Sequence, residues 1–360
     1  MTRKAARALA VASPRLQPRW MMNELRQDPT SGLWVIIAPE RGHRPHVLLP
    51  AAQALTDGPP VLRFDPDCPF CPGHEHRLPG IIAEIRVPDP PGWSVRVVPN
   101  KFPAVQADRM TEIVELATQH RLLDGYGFHE VIIESPRHDA DLAKLSDVEI
   151  DAVIAMYCDR SRQLLNQPAI EAVILFRNHG PRGGASLRHP HAQVIALALL
   201  PPRLARLADW GHRYYDEYGR CPTCDEIDRE RAFKVRIVEE SRNFLVLVPF
   251  AAEYPFETWI VPIEHQASFL DISDLQRAEF ARLLRRTLDR LRRARNDPPY
   301  NFVIDSAART ELRSPCLHWR LRIAPNLANW GGFELGAGMA INPSSPEDNA
   351  GELRRNEGPG

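Results

Sequence analysis

"GGASLRHPHAQVIAL", residues 183–197, places His189, His191 and Gln193 at alternate positions directly before an apolar run. In an extended segment, residues i, i+2 and i+4 point to one face, so the three nitrogen-bearing side chains are expected to converge on one spot. Pro190 favours that geometry, because its ring fixes φ and it disfavours helix at the residue before it. For an isolated His-x-His the alternative is a polar loop, and the rest of the chain decides between the two.

Six cysteines stand at positions 68, 71, 158, 221, 224 and 316, and four of them form two CPxC pairs, CPFC and CPTC. The chain shows no export signal, so metal ligation is favoured over disulfide pairing. A CxxC pair supplies only half of a tetrahedral zinc site. After Cys68 and Cys71 comes the strand-like run HEVIIESPRH, ending at His138, and then the segment carrying His189. After Cys221 and Cys224 comes FLVLVPFAAEYPFETWIVPIEH, ending at His265, and then CLHWRLRIAP with His318. The paired histidines are 51 residues apart in the first half and 53 in the second. Two closed ligand sets follow: Cys68, Cys71, His138 and His189, and Cys221, Cys224, His265 and His318. Four protein ligands leave no position for water, so both sites are read as structural zinc sites, with iron as the alternative in one. Cys158 and Cys316 are assigned no role.

The repeat extends to the helices. Ser146 with Glu149, and Ser273 with Gln276, read as capping boxes, each eight residues after the first histidine of its half. Apolar positions at helical spacing follow both: Ile150, Val153, Ile154 and Tyr157, then Leu275, Leu283, Leu284, Leu288 and Leu291. The expected fold class is α+β, a duplicated unit in two domains, residues 22–200 and 201–350, each an antiparallel sheet with packed helices and a zinc site. Residues 1–21 are basic and lack acids; they are expected to lie outside the fold, and the segment SPEDNAGELRRNEGPG is expected to fray toward its end.

At 360 residues, two domains match the length. The net charge of −1 provides no global field for nucleic acid or an anionic membrane surface, so phosphate recognition has to be local. No apolar run reaches membrane-spanning length, and a cytoplasmic enzyme is expected.

Superposing the halves on their last histidines sets His189-Pro-His191-Ala-Gln193 against His318-Trp-Arg320-Leu-Arg322. The ligand is kept while His191 and Gln193 become arginines, so those two residues serve something other than the fold. A neutral imidazole is a competent nucleophile when its other nitrogen is held by an acceptor. Gln193 offers an amide N–H for a phosphoryl oxygen, and Asn178, Gly183, Gly184 and Ser186 upstream offer N–H and hydroxyl groups. Beside His-x-His-x-Gln, this constellation fits nucleotidyl transfer. A zinc-stapled binding module without turnover is disfavoured, because a scaffold has no reason to treat its halves differently.

The segments DPTSGLWVIIAPERGHRP, CPFCPGHE, VVPNKFPAV, SPRH, NHGPRGGASLRHPHAQ and GGFELGAG together resemble the galactose-1-phosphate uridylyltransferase family, the transferase branch of the histidine-triad (HIT) superfamily. The resemblance covers residues from about 22 to about 350 and implies two HIT-like domains. It implies that His191 takes a nucleotidyl group from UDP-glucose as a covalent uridylyl-histidine, which a hexose 1-phosphate then discharges. It places Gln193 on the transferred phosphoryl group, and Asn178 and Ser186 around the phosphates. It further implies a homodimer, with Arg41 and Arg44 reaching a neighbouring subunit's site and Glu334 contacting sugar. Asn100 is a candidate nucleotide contact, with a turn asparagine as the alternative. Cysteines in the second metal set and Ala340 depart from the enterobacterial-type enzymes and are similar to ADP-glucose phosphorylases. The proline between the histidines is similar to the uridylyltransferases. ADP-glucose or diadenosine polyphosphate phosphorolysis through the same histidine is therefore the alternative, ahead of nucleotide hydrolysis.

Overall fold

The computed structural model describes residues 23–43, 62–89, 91–109, 113–118 and 120–358; the N-terminal segment through residue 22, and Arg44, lie outside them. Two short strands open the described chain, β1 (Glu24–Gln27) and β2 (Trp34–Ile37). The first half continues with β3 (Ala83–Pro88), β4 (Pro91–Pro99), the hairpin β5 (Ile113–Ala117) and β6 (His120–Leu123), and β7 (Gly127–Ile133). Helix α1 (Asp147–Leu165) then leads into β8 (Ala172–His179) and β9 (His191–Leu197). Helices α2 (Pro202–Tyr218) and α3 (Pro222–Phe233) connect to the second half. There, β10 (Ile237–Glu240), β11 (Phe244–Leu247) and β12 (Thr258–Pro262) precede α4 (Asp274–Arg295), β13 (Tyr300–Asp305) and β14 (Arg320–Pro325). The described chain closes with α5 (Gly332–Ala337), β15 (Ile341–Asn342) and α6 (Pro346–Arg355).

Ten strands form one antiparallel sheet in the order β3-β4-β7-β9-β8-β13-β14-β12-β11-β10. Read from either outer edge to the centre, the two halves have the same chain order, and they meet where β8 pairs with β13, Phe176 opposite Val303. The halves are thus not closed sheets of their own. They also share one hydrophobic core, in which Val95, Ile132, Ile150 and Tyr157 join Phe244, Phe280, Leu284 and Trp319.

Both capping boxes form: Ser146 accepts from Glu149 N and Ser273 from Gln276 N. The helices they start, α1 and α4, pack on each other and cover one face of the sheet, and Arg277–Asp151 and Arg285–Asp147 ion pairs link them. Leu275 does not join the core, because the first turn of α4 leaves it 84% exposed. In β9, Ala192, Val194 and Ala196 face that helical layer and are fully buried. The strand's period of two sends His191 and Gln193 to the opposite face, where the site lies.

Two features differ from the sequence-based expectation. Residues 346–355 form a docked helix rather than a fray: Ser345 caps it, Ala350 and Leu353 are buried, and Glu347 pairs with Arg26 of β1 at 2.9 Å. Strand β15 pairs in parallel with β2, so the N-terminal strands pack against the end of the second half, across the 200/201 boundary.

Candidate active site

His191 opens β9 opposite Ile133 of β7, and Gln193 stands opposite Val131. His189 lies before the strand and turns away from them. Its Nε2–H donates to Ser135 O at 2.7 Å, and its Nδ1 faces Cys68 Sγ and Cys71 Sγ, each at 3.7 Å. The three alternating side chains therefore serve two places, His189 the Cys/His cluster and the other two the cleft. The peptide between them makes the link: His191 Nδ1–H donates to His189 O at 2.8 Å, which leaves the Nε2 lone pair free. Burial, only partly offset by that carbonyl, lowers the pKa of His191 below the ordinary 6.5. A neutral, oriented imidazole is the state a nitrogen nucleophile requires.

The ligand atoms of Cys68, Cys71, His138 and His189 lie within 4.8 Å of one another, as do those of Cys221, Cys224, His265 and His318. Tetrahedral bonds of about 2.3 Å to sulfur and 2.0 Å to nitrogen place sulfur and nitrogen about 3.5 Å apart. The S···N separations here are 3.6 and 3.7 Å in the first cluster and 3.4 and 3.5 Å in the second. Three of the four histidines turn Nε2 to a backbone carbonyl: His189 to Ser135, His265 to Ser314 and His318 to Pro262. His138 instead faces the Asp65 carboxylate at 3.7 Å. Such outer partners fix the ring that presents its other nitrogen to a metal. Burial raises the Cys68 thiol to about 11, so a bound cation is what would hold it as thiolate at neutral pH. Both clusters fit a metal ion, and both are closed. Phe70, inside the CPFC loop, lies edge-on to the rings of His189 and His191 at 5.9 and 5.5 Å, so the first cluster also fixes one wall beside the nucleophile.

A cleft of about 310 Å³ opens over His191 and Gln193. Phe70, Leu78, Val98 and Phe102 give it apolar walls, and Asn100, Lys101 and Ser186 line it with polar groups. Asn100 is partly committed, since its Oδ1 accepts from Phe102 N at 2.8 Å and its Nδ2 lies 3.3 Å from Gln193 Oε1. Asn178 of β8 pairs with Asn301 of β13 and does not line this cleft; it lines a second cavity of about 430 Å³ with Asn301, Arg203 and Arg322. Glu334 is away from the His191 cleft: its carboxylate accepts from Gly331 N at 2.8 Å and caps α5. Arg41 sits in a 3-10 turn, Pro39–His43, with its backbone N–H on Ala38 O.

In the second half, Arg320 occupies the place of His191. Its guanidinium stacks 3.8 Å over Trp259, donates to Thr30 Oγ1 at 2.7 Å and faces Asp305. A guanidinium held this way has no lone pair to offer and cannot act as a nucleophile. Sequence reasoning passed over two residues that touch the reactive pair, Phe70 and His129. Phe70 was visible between the two cysteines. His129 opens the run HEVII, but only strand register brings it to Gln193.

Sheet, paired clusters and the His-Pro-His-x-Gln strand together define an α+β fold of the nucleotidyltransferase class. A family model described as galactose-1-phosphate uridyl transferase, N-terminal domain, matches residues 15–201. The chain is 36% identical to an ADP-glucose phosphorylase from Arabidopsis thaliana over 92% of each chain, and 27% identical to a galactose-1-phosphate uridylyltransferase from Thermotoga maritima over 93% of this chain and 99% of that one. A solved structure of an Arabidopsis thaliana ADP-glucose phosphorylase with bound ADP-glucose superposes with a TM-score of 0.78 at 35% identity, covering 92% of this chain and 98% of that one. The chain belongs to the galactose-1-phosphate uridyl transferase family.

Proposed function

We propose that the chain is a nucleotidyltransferase of nucleoside-diphosphate hexoses that works by double displacement through His191, with UDP-glucose as donor and a hexose 1-phosphate such as galactose 1-phosphate as acceptor. The observation that carries this reading is the free Nε2 of a buried His191 whose Nδ1–H is held by the His189 carbonyl, at the floor of a cleft that also presents Gln193. Nε2 attacks the α-phosphorus, a P–N bond forms, and the bond from that phosphorus to the bridging oxygen breaks, releasing hexose 1-phosphate. The acceptor's phosphate oxygen then attacks the same phosphorus and the P–N bond breaks. A Gln193 N–H donates to a phosphoryl oxygen as charge builds there. Asn178, Ser186 and Asn100 are assigned to the phosphates and nucleotide, Glu334 to the sugar, and Arg41 and Arg44 to a neighbouring subunit's site in a homodimer.

Cys68, Cys71, His138 and His189, and Cys221, Cys224, His265 and His318, would each hold a zinc ion, which supplies structural cross-linking and no reactive ligand position. Residues 22–200 and 201–350 are read as duplicated HIT-like units, supported by the matching strand order, capping boxes and ligand sets. A cytoplasmic location is proposed; no described helix is long and apolar enough to cross a membrane.

A second reading has its own support: the 36% identical relative is an ADP-glucose phosphorylase. It shares the first step, with adenylyl in place of uridylyl, and discharges the intermediate to inorganic phosphate. One experiment separates the two. The protein is incubated with UDP-glucose or ADP-glucose, the adduct is measured by intact mass, and hexose 1-phosphate or phosphate is added to discharge it. A UMP adduct discharged by hexose 1-phosphate is expected; an AMP adduct discharged by phosphate selects the phosphorylase. An adduct that persists in His191→Ala protein would remove the assignment of the nucleophile.

A further inference from the structure

An amide is useful at position 193 only in one of its two orientations. With Nε2 toward the phosphoryl group it stabilises negative charge, and with Oε1 there it repels it. The two orientations have nearly the same shape, so hydrogen-bond partners behind the side chain have to choose. The structure supplies that choice from the backbone. Ala104 N–H, a donor that cannot reverse, lies 3.1 Å from His129 Nδ1. The neutral ring therefore carries its hydrogen on Nε2, which lies 2.9 Å from Gln193 Oε1. A second backbone donor acts in parallel: Phe102 N–H binds Asn100 Oδ1, so Asn100 turns its Nδ2 toward the same Gln193 oxygen at 3.3 Å and toward His129 Nε2 at 3.1 Å. With His129 Nδ1 taken by Ala104 N–H, the ring has no lone pair at Nε2 to offer Asn100, and the two N–H groups lie side by side on Gln193 Oε1.

The second half carries an independent observation. Gln193 is opposite Val131 and Arg322 is opposite Trp259, so the counterpart of His129, two residues before, is Glu257. Glu257 Oε1 lies 3.9 Å from Arg322, which also binds Glu253 at 3.4 Å; Glu257 accepts from Trp259 Nε1 and is buried. An acceptor at 193 faces a donor at 129, and a donor at 322 faces an acceptor at 257. The polarity of the pair reverses as a unit, as expected if this position serves to set its partner.

We propose that His129 is a positioning residue that fixes the Gln193 amide with its N–H groups toward the phosphoryl group transferred to His191. His129 is not among the residues lining the His191 cleft, so it acts through Gln193 and not on substrate. The proposal rests on the reading of His191 and Gln193 given above.

The test is single-turnover formation of nucleotidyl-His191 from a nucleoside-diphosphate hexose. Loss of one donor to a developing oxyanion costs about 100- to 1,000-fold. His129→Leu, which leaves Asn100 in place, is expected to slow adduct formation about 30-fold with half-saturation changed less than about threefold. His129→Gln, whose Nε2 can reach where the imidazole Nε2 stood, recovers most of the rate. In a Gln193→Ala background, His129→Leu should cost less than about twofold more, because the two act as one unit. Losses that multiply in the double variant, or a His129→Gln protein as slow as His129→Leu, overturn the proposal. The ring itself gives a readout independent of turnover: nitrogen-15 NMR of wild-type protein at neutral pH should show His129 protonated on Nε2 and bare on Nδ1, and the reverse tautomer overturns it. If wild-type protein forms no adduct with UDP-glucose or ADP-glucose, the transfer reading itself falls, and the tautomer still decides the hydrogen-bond chain.

Discussion

His191 is held between two demands, burial against Phe70 and a free nitrogen facing the cleft. Burial disfavours the imidazolium, so the folded-state pKa lies below 6.5 and the ring stays neutral over a range in which an exposed histidine would be charged. Protonation removes the lone pair that attacks phosphorus, so the pH dependence of adduct formation has a definite sign. Its kcat/KM should remain level as pH falls through 6.5, with the acid limb appearing only below that value. A limb centred at or above 6.5 would mean that the ring is not desolvated in the free enzyme. The same residue-level contrast governs labelling stoichiometry. Arg320 offers a guanidinium bound to Thr30 and Asp305 in place of an imidazole lone pair, so one nucleotidyl group per chain is expected, and Arg320→Ala should label as fully as wild type.

The elements that present these residues depend on caps as well as on core packing. Ser146→Ala and Ser273→Ala each remove the side-chain acceptor of a capping box and should each lower stability by about 1 kcal/mol in urea titrations. Glu334 tests a cap against a contact. It holds Gly331 N at the start of α5, while its proposed role is at the sugar. Glu334→Ala is expected to slow discharge to hexose 1-phosphate more than adduct formation from a dinucleotide donor without a hexose; equal losses would confine Glu334 to its helix. The caps and the Cys/His sets were legible in the sequence because each is a short-range signal, and each occurs twice in the same order. The pairing of β8 with β13 was not, since nothing near Phe176 announces Val303 as its neighbour. Helix α6 was misread for a related reason: its two buried apolar residues, Ala350 and Leu353, are too few to show a period, and Arg26, which receives Glu347, lies at the other end of the chain.

At the scale of the molecule, those long-range contacts make one structure of two halves. Arg26 of β1 and Arg236 beside β10 both meet Glu347 of α6 at 2.9 Å, with Arg26 and Glu347 buried. Removing the acid takes the Nη partners from a buried guanidinium that keeps Glu24 at its Nε and Phe250 O at Nη1, so Glu347→Ala should lose about 2 kcal/mol in denaturant unfolding, more than an exposed ion pair would. The metal clusters give the halves different vulnerabilities. All four ligands of the first cluster are buried, whereas in the second His265 is exposed and Cys224 and His318 are partly so. A chelator reaches a metal through its exposed ligands, so removal should proceed in two phases, the faster from the second cluster. Only the first cluster contains the neighbour of the nucleophile, His189, whose carbonyl holds the His191 ring. Metal analysis and adduct formation followed together during chelation should therefore separate: the first equivalent leaves with most of the labelling retained, and labelling falls with the second. Labelling lost in step with the first equivalent would show that the second half, although it lacks the nucleophile, controls the geometry of His191 across the shared sheet.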